Sequence, residues 1–236
     1  MGKKIESLLK IQKIYGINGL FLEFEKFKES EVIMSPKLTK EKLLENLVQE
    51  VKNCKLCSLW KTRVNIVFGE GNINAELMFV GEGPGYEEDK QARPFVGRAG
   101  ELLTKIISAM KLSRKDVYIA NIVKCHPLKE PDPYLRNNDR PPNEDEIKSC
   151  LPYLEKQIEI ISPKIICCLG STSAKVLTKN DLPITELRGK IFDYYKDSKI
   201  KILPTYHPAA LLRNPSLKKF VWQDMQLIMK MLGISQ

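Results

Sequence analysis

Four cysteines stand in polar or turn-rich stretches: Cys54 and Cys57 in CKLC, Cys125 in VKCHP, and Cys150, with 24 residues between Cys125 and Cys150. Two neighbouring thiolates joined by two distant ones suit four-coordinate ligation of zinc or of an iron–sulfur cluster, and spacing alone does not choose between them. A C-x-x-C pair is also the pattern of a redox dithiol. His126, beside Cys125, reads as a substitute ligand or as a surface loop histidine. Cys167 and Cys168 lie inside KIICCLG, a buried-strand pattern, and read as small core residues. A second concentration of chemistry is GEGPGYEEDKQARPFVGRAG, running from Gly81 to Gly100. A glycine-rich turn after a strand can cradle a phosphate. This one also carries Glu82, Glu87, Glu88, Asp89 and Phe95, more than a phosphate cradle needs. Asn121 and His207 each end an apolar run.

The elements that must hold these residues follow from hydrophobic period. Short apolar runs at 76–81, 117–122, 164–170 and 201–207 predict four strands. Segments of helical period at 99–111, roughly 143–161, and 171–179 separate them. Asn143 with Glu146 predicts a capping box, and Pro152 is expected to kink or restart that helix. Strands alternating with helices argue for a parallel sheet covered on both faces. In such sheets ligands sit beyond the carboxyl ends of the strands, which is where the loop after Val80, Asn121 and His207 fall. Before them, Thr39 is expected to cap a helix whose inner face is Leu43, Leu44, Leu47, Val48 and Val51. Residues 3–15 carry an imperfect helical stripe, Ile5, Leu8, Leu9, Ile11 and Tyr15, ended by Gly16. With a break at Ser35-Pro36, residues 1–35 read as a helical extension and 36–236 as the main domain.

Composition sets the class of partner. The chain of 236 residues has a formal net charge of +9, which favours a polyanionic partner such as nucleic acid. No apolar run approaches the roughly 20 residues of a membrane span. The start, MGKKIESLLKIQK, has no apolar core with a small-residue cleavage site, so no signal peptide is read. Six cysteines in a chain of this cytosolic character do not suggest a disulfide framework.

Taken in order, CKLCSLWKTRVNIVFGEGNINAELMFVGEGPGYEEDKQARPFVGRAGELL, YIANIVKCHP and TYHPAALLRNP resemble the family 4 uracil-DNA glycosylases, the thermostable iron–sulfur type of archaea and bacteria, over about residues 40–230. The resemblance implies an α/β fold, a three-layer α/β/α sandwich around a four-stranded parallel sheet. It implies a monofunctional enzyme that flips uracil out of DNA and hydrolyses its N-glycosidic bond. Asn121 matches the asparagine that reads the uracil edge, Phe95 the stacking aromatic, and His207 the donor to uracil O2. Glu82 and Gly83 fill the first motif. The aspartate that activates water in the best-known uracil glycosylases is absent, so Glu88 is the expected water-holding carboxylate, assisted by Glu82. Leu211 is the expected wedge into the duplex, with Leu212 its alternative. Arg213, Lys218 and Lys219 suit phosphate contacts. Cys54, Cys57, Cys125 and Cys150 are implied to hold a [4Fe–4S] cluster. Partners implied are uracil-containing DNA, single- or double-stranded, with the protein a cytoplasmic, nucleoid-associated monomer. A sliding-clamp contact would fall to residues 1–35, where no clear motif supports it. Two departures from the family stand out: the extension, and a segment from Cys125 to Cys150 longer than usual, read as a polar loop insertion.

Overall fold

The computed structural model describes residues 38–235. The helix and clamp contact expected within 1–35 lie outside these. Thr39–Gln236 forms one compact unit. It opens with helix α1 (Lys40–Lys52), capped by the Thr39 hydroxyl, which accepts from the Lys42 N–H. Leu44, Leu47 and Val51 form its buried face.

The central strands are β2 (Leu77–Gly81), β3 (Tyr118–Asn121), β4 (Ile165–Leu169) and β6 (Asp197–Thr205). They pair in parallel in the order β3-β2-β4-β6. The sheet is wider than the four strands expected from sequence. Two short antiparallel strands extend its edges, β1 (Glu70–Gly71) beside β3 and β5 (Phe192–Tyr194) beside β6. At two and three residues, neither carries an apolar run long enough to read as a strand.

Alternation along the strands builds two cores. Met78, Val80, Tyr118, Ala120, Ile166, Cys168 and Ile202 face helices α4 (Glu144–Ile161), α5 (Ser171–Thr178) and α6 (Ile184–Leu187). Leu77, Phe79, Ile119, Ile165, Cys167 and Leu203 face α3 (Arg98–Ala109), α7 (Pro208–Arg213) and α8 (Lys218–Leu232). Helix α2 (Tyr86–Gln91) lies within the glycine-rich loop. The capping box at Asn143 and Glu146 is present. The restart expected at Pro152 does not occur: α4 runs through it in one piece. Leu154, Ile158 and Ile161 bury against the sheet on the far side, and that packing outweighs one missing backbone donor.

Candidate active site

The register of the two central strands makes the site. Gly81 and Asn121 are Cα partners at the carboxyl ends of β2 and β3. Asn121 is 2% exposed, and its Oδ1 is buried without a hydrogen-bond partner. A buried amide oxygen left unpaired costs free energy unless a ligand satisfies it. Above it lies Phe95, held in a left-handed backbone conformation at φ 53°. A side chain at Gly81 would place its Cβ 2.4 Å from Asn121 Oδ1 and 2.5 Å from Phe95 Cζ. Glycine at 81 therefore keeps open a slot between an amide edge and an aromatic ring.

The Phe95 turn is clamped from behind. Arg114 donates to the carbonyls of Pro94 (2.7 Å) and Phe95 (3.1 Å), and pairs with Glu70 at 2.7 Å. Gly100 admits the turn, since a Cβ there would fall 1.9 Å from Phe95 O. Nothing in the pattern around Arg114 marks it as a positioning residue.

His207 faces the slot from β6's end, its ring centroid 5.6 Å from that of Phe95. It caps α7 by accepting the Ala209 N–H at Nδ1, 3.1 Å away. The hydrogen of a neutral ring is then on Nε2. Burial, with Arg213 nearby, pulls its pKa down to about 4. The imidazole is a neutral donor at physiological pH.

A cavity of about 550 Å³ opens from this slot, lined by Glu82, Gly83, Glu88, Phe95, Asn121 and His207 among others. The Thr172 hydroxyl donates to Glu82 Oε2. Glu88 Oε1 accepts the N–H groups of Val96 and Gly97, both at 3.1 Å, tying α2 to the Phe95 turn. The far wall is the loop between Cys125 and Cys150, through Pro127, Arg136, Asn137, Asp139 and Arg140.

Behind the site, Cys54, Cys57, Cys125 and Cys150 line one narrow apolar cavity together with Arg63, Lys124 and Tyr153. The Lys124 N–H donates to Cys150 Sγ and the Arg63 guanidinium to Cys125 Sγ, both at 3.3 Å. Burial pushes the Cys150 thiol up to about 12 and raises Cys57 and Cys125. Among the described residues no three His, Cys, Asp or Glu side chains are gathered closely enough to hold a metal ion. The donor chemistry still fits a thiolate-bound group: four soft ligands, a dry space, and N–H donors aimed at the sulfurs. Lys124 connects this cavity to the slot. Its buried Nζ donates to the backbone O of Asn121 (2.8 Å) and to Gln157 Oε1 (2.6 Å). Burial lowers this ammonium to about 8.

A family model described as the Uracil DNA glycosylase superfamily matches residues 68–226. A type-4 uracil-DNA glycosylase of Sulfurisphaera tokodaii is 49% identical over 191 residues, covering 78% of this chain and 83% of that protein. Another, of Saccharolobus solfataricus, is 45% identical over 196 residues, covering 80% and 87%. A third, of Thermotoga maritima, is 43% identical over 191 residues, covering 80% and 94%. The chain belongs to the type-4 uracil-DNA glycosylase family.

In this type-4 glycosylase the slot gathers Glu82, Gly83, Glu88, Phe95, Asn121 and His207 as the sequence reading grouped them. Leu211 is placed elsewhere. It is 1% exposed and belongs to the core under α7, so it is not available as a wedge in this conformation. Pro208 and Leu211, three residues apart, share the inner face of that helix. The neighbouring Leu212 is 42% exposed. Arg213, Lys218 and Lys219 are exposed beyond it. Gly81, Thr172 and Asp139 are not marked as site residues by the sequence pattern. Gly81 alone had a visible signal, as the glycine ending an apolar strand. Among the described residues no helix is long and apolar enough to cross a membrane.

Proposed function

We propose that this type-4 glycosylase removes uracil from DNA by hydrolysing the N-glycosidic bond, leaving an abasic site, as a monofunctional repair enzyme. The observation that carries the reading is the unpaired, buried Asn121 Oδ1 at the floor of a slot capped by Phe95. Uracil offers N3–H and O4 on one edge. Asn121 Oδ1 accepts the former and Nδ2 donates to the latter. Cytosine presents an acceptor at N3, which meets that oxygen lone pair to lone pair, so the slot rejects it. Gly81 lets the base reach the amide.

Bond cleavage leaves negative charge on the base and positive charge on the sugar. The neutral Nε2–H of His207 stabilises the former at uracil O2, a preorganised donor that needs no proton transfer first. Glu82 and Glu88 supply negative charge beside the sugar, and Glu88 Oε2 is the group assigned to the water. Gly83 lets the sugar approach the backbone. Leu212, rather than Leu211, is assigned the wedge that holds the gap in the stack. Arg213, Lys218 and Lys219 bind phosphates. Cys54, Cys57, Cys125 and Cys150 would hold a [4Fe–4S] cluster, which would tie two loops to helix α4 and supply no electrons to a hydrolysis. The setting that fits is uracil-bearing DNA, single- or double-stranded, met by a monomer in the cytoplasm at the nucleoid.

Single-turnover excision on labelled oligonucleotides carrying U·A, U·G, T·G and single-stranded U tests the activity. Cleavage of uracil strands is expected. Asn121→Ala should lower the rate roughly 10²–10³-fold, because a buried edge is left unpaired, while binding to abasic DNA persists. No uracil excision by a cluster-loaded, DNA-binding wild type would overturn the reading. Visible absorption settles the metal separately: an iron–sulfur protein prepared without air is brown, and a colourless protein with stoichiometric zinc would refute the cluster.

A further inference from the structure

The water-side wall of the cavity contains a carboxylate that the reading above does not use. Asp139 lies on the loop between Cys125 and Cys150, and its side chain is 59% exposed at the cavity. Its Oδ1 meets Nε2 of His126 at 2.5 Å. A carboxylate only accepts, so that ring nitrogen carries the hydrogen. His126, expected on the surface of its loop, is instead fully buried, with Asp89 Oδ2 at 3.9 Å from its other nitrogen. Asp89 is itself fixed by the N–H groups of Val64 and Asn65. An exposed acid is thus oriented by a ring that cannot move without disturbing the core.

The backbone under Asp139 is as firmly held. Leu128 and Asp139 form an isolated antiparallel bridge. Asn138, buried at 2% exposure, exchanges side-chain hydrogen bonds with Glu130 and donates to Asp132 O. Arg140 donates to Leu128 O (2.8 Å) and forms a two-pronged pair with the buried Glu146 at 2.7 and 2.8 Å. A polar loop tip needs none of this merely to stay solvated. Preorganisation of this kind holds a group within the tolerance that chemistry requires.

The position of Asp139 gives the use. Gly85 lies between it and Glu88. The point where a Gly85 Cβ would stand is 3.1 Å from Glu88 Oε2 and 3.7 Å from Asp139 Oδ2. Glu88 has spent its other oxygen on Val96 and Gly97. Two carboxylate oxygens, each with its partner oxygen anchored, therefore both lie close to the open side of a residue with no side chain, in the lining of the cavity.

Resting on the uracil-excision reading, we propose that Asp139 is a second catalytic carboxylate, oriented by His126, which shares with Glu88 the water that attacks the sugar. In the step, the water oxygen bonds to C1′ as the C1′–N1 bond breaks, its electron pair leaving on uracil. The water proton passes to Asp139, which releases it to solvent. His126 meets Asp139, and Glu87, Glu88, Arg136 and Arg140 are the charged residues that line the same cavity with it.

Single-turnover excision from single-stranded uracil DNA is measured across pH for wild type, Asp139→Asn, Glu88→Gln and the double variant. Asparagine keeps the oxygen that His126 meets, so the loop stays in place. Asp139→Asn is expected to slow excision about 10- to 100-fold, with abasic-DNA affinity, visible absorption and melting temperature unchanged. The acid-side fall in rate should weaken or vanish, a readout that a purely structural residue would not move. Because both carboxylates hold one water, the double variant should lose less than the product of the single effects. A wild-type rate and pH profile for Asp139→Asn would overturn the proposal. So would a slower rate with an unchanged profile, or one accompanied by lost affinity or melting temperature. Absence of excision by wild type instead refutes the uracil reading, and leaves a different signature.

Discussion

Replacing Gly81 by alanine tests the geometry on which the base slot rests. A Cβ at 81 stands 2.4 Å from Asn121 Oδ1 and 2.5 Å from Phe95 Cζ. Ordinary contact begins near 3.4 Å, so each group must retreat by about 1 Å, and neither retreats freely. Asn121 ends a central strand, its backbone O held by Lys124, and the Phe95 turn is clamped by Arg114. Overpacking of this size costs about 1–3 kcal/mol. For a domain of this length that lowers the melting temperature by about 2–4 °C per kcal/mol. Catalysis should suffer far more, because a 1 Å misplacement of a positioned base costs about 100-fold. The assay is single-turnover excision beside fluorescence anisotropy on abasic DNA. The expected result is a rate down about 100-fold with affinity within about twofold, since the residues proposed to bind phosphates, Arg213, Lys218 and Lys219, are not in the slot. A rate within about threefold of wild type would refute the claim that this glycine keeps the slot open.

His207 should titrate near pH 4 rather than at its ordinary 6.5, read from its imidazole resonances by NMR. The sequence has two histidines, so His207→Asn assigns the signal, and that variant should lose about 10²–10³ in excision rate. The lowered pKa means that the unfolded chain binds the extra proton between about 4 and 6.5. The stability contributed by the neutral ring is whole above that window and is lost as pH falls through it; a midpoint near 6.5 would contradict the donor assignment. Lys124→Met leaves Asn121 O and Gln157 Oε1 without their buried donor, costing about 1–3 kcal/mol for each. Its melting temperature should fall by about 4–24 °C, and a value equal to wild type in calorimetry would show the link to be dispensable. On the proposed cluster, Cys150→Ser should lack the brown absorption expected of the wild type and melt earlier; full iron content in that variant would remove Cys150 from the ligand set.

The central strands were readable because buried parallel strands need unbroken apolar runs, and these have them. Asn143 with Glu146 was readable because capping is local, decided within four residues. The edge strands β1 and β5 were not, since their pairing is set by neighbours far along the chain. Pro152 misled for the same reason: its local cost is real, but the helix is held by Leu154, Ile158 and Ile161 on the sheet.

Among site residues, the types and order of Glu82, Asn121 and His207 stood in the sequence, since chemistry selects side chains by kind. The choice between Leu211 and Leu212 did not. Which of the two is exposed depends on which side of a six-residue helix faces the core, where Pro208 packs beside Leu211. Gly81 is legible as the glycine that ends an apolar strand, but only the parallel register sets it beside Asn121. Asp139 reads as part of a polar loop insertion, and only the fold brings it onto the buried His126, 13 residues away. The sequence by itself determined the strand–helix order and the chemical kinds available to the site. Only the tertiary structure decided which of them meet, because contacts between distant residues depend on register and burial, and neither is encoded in any local stretch of the chain.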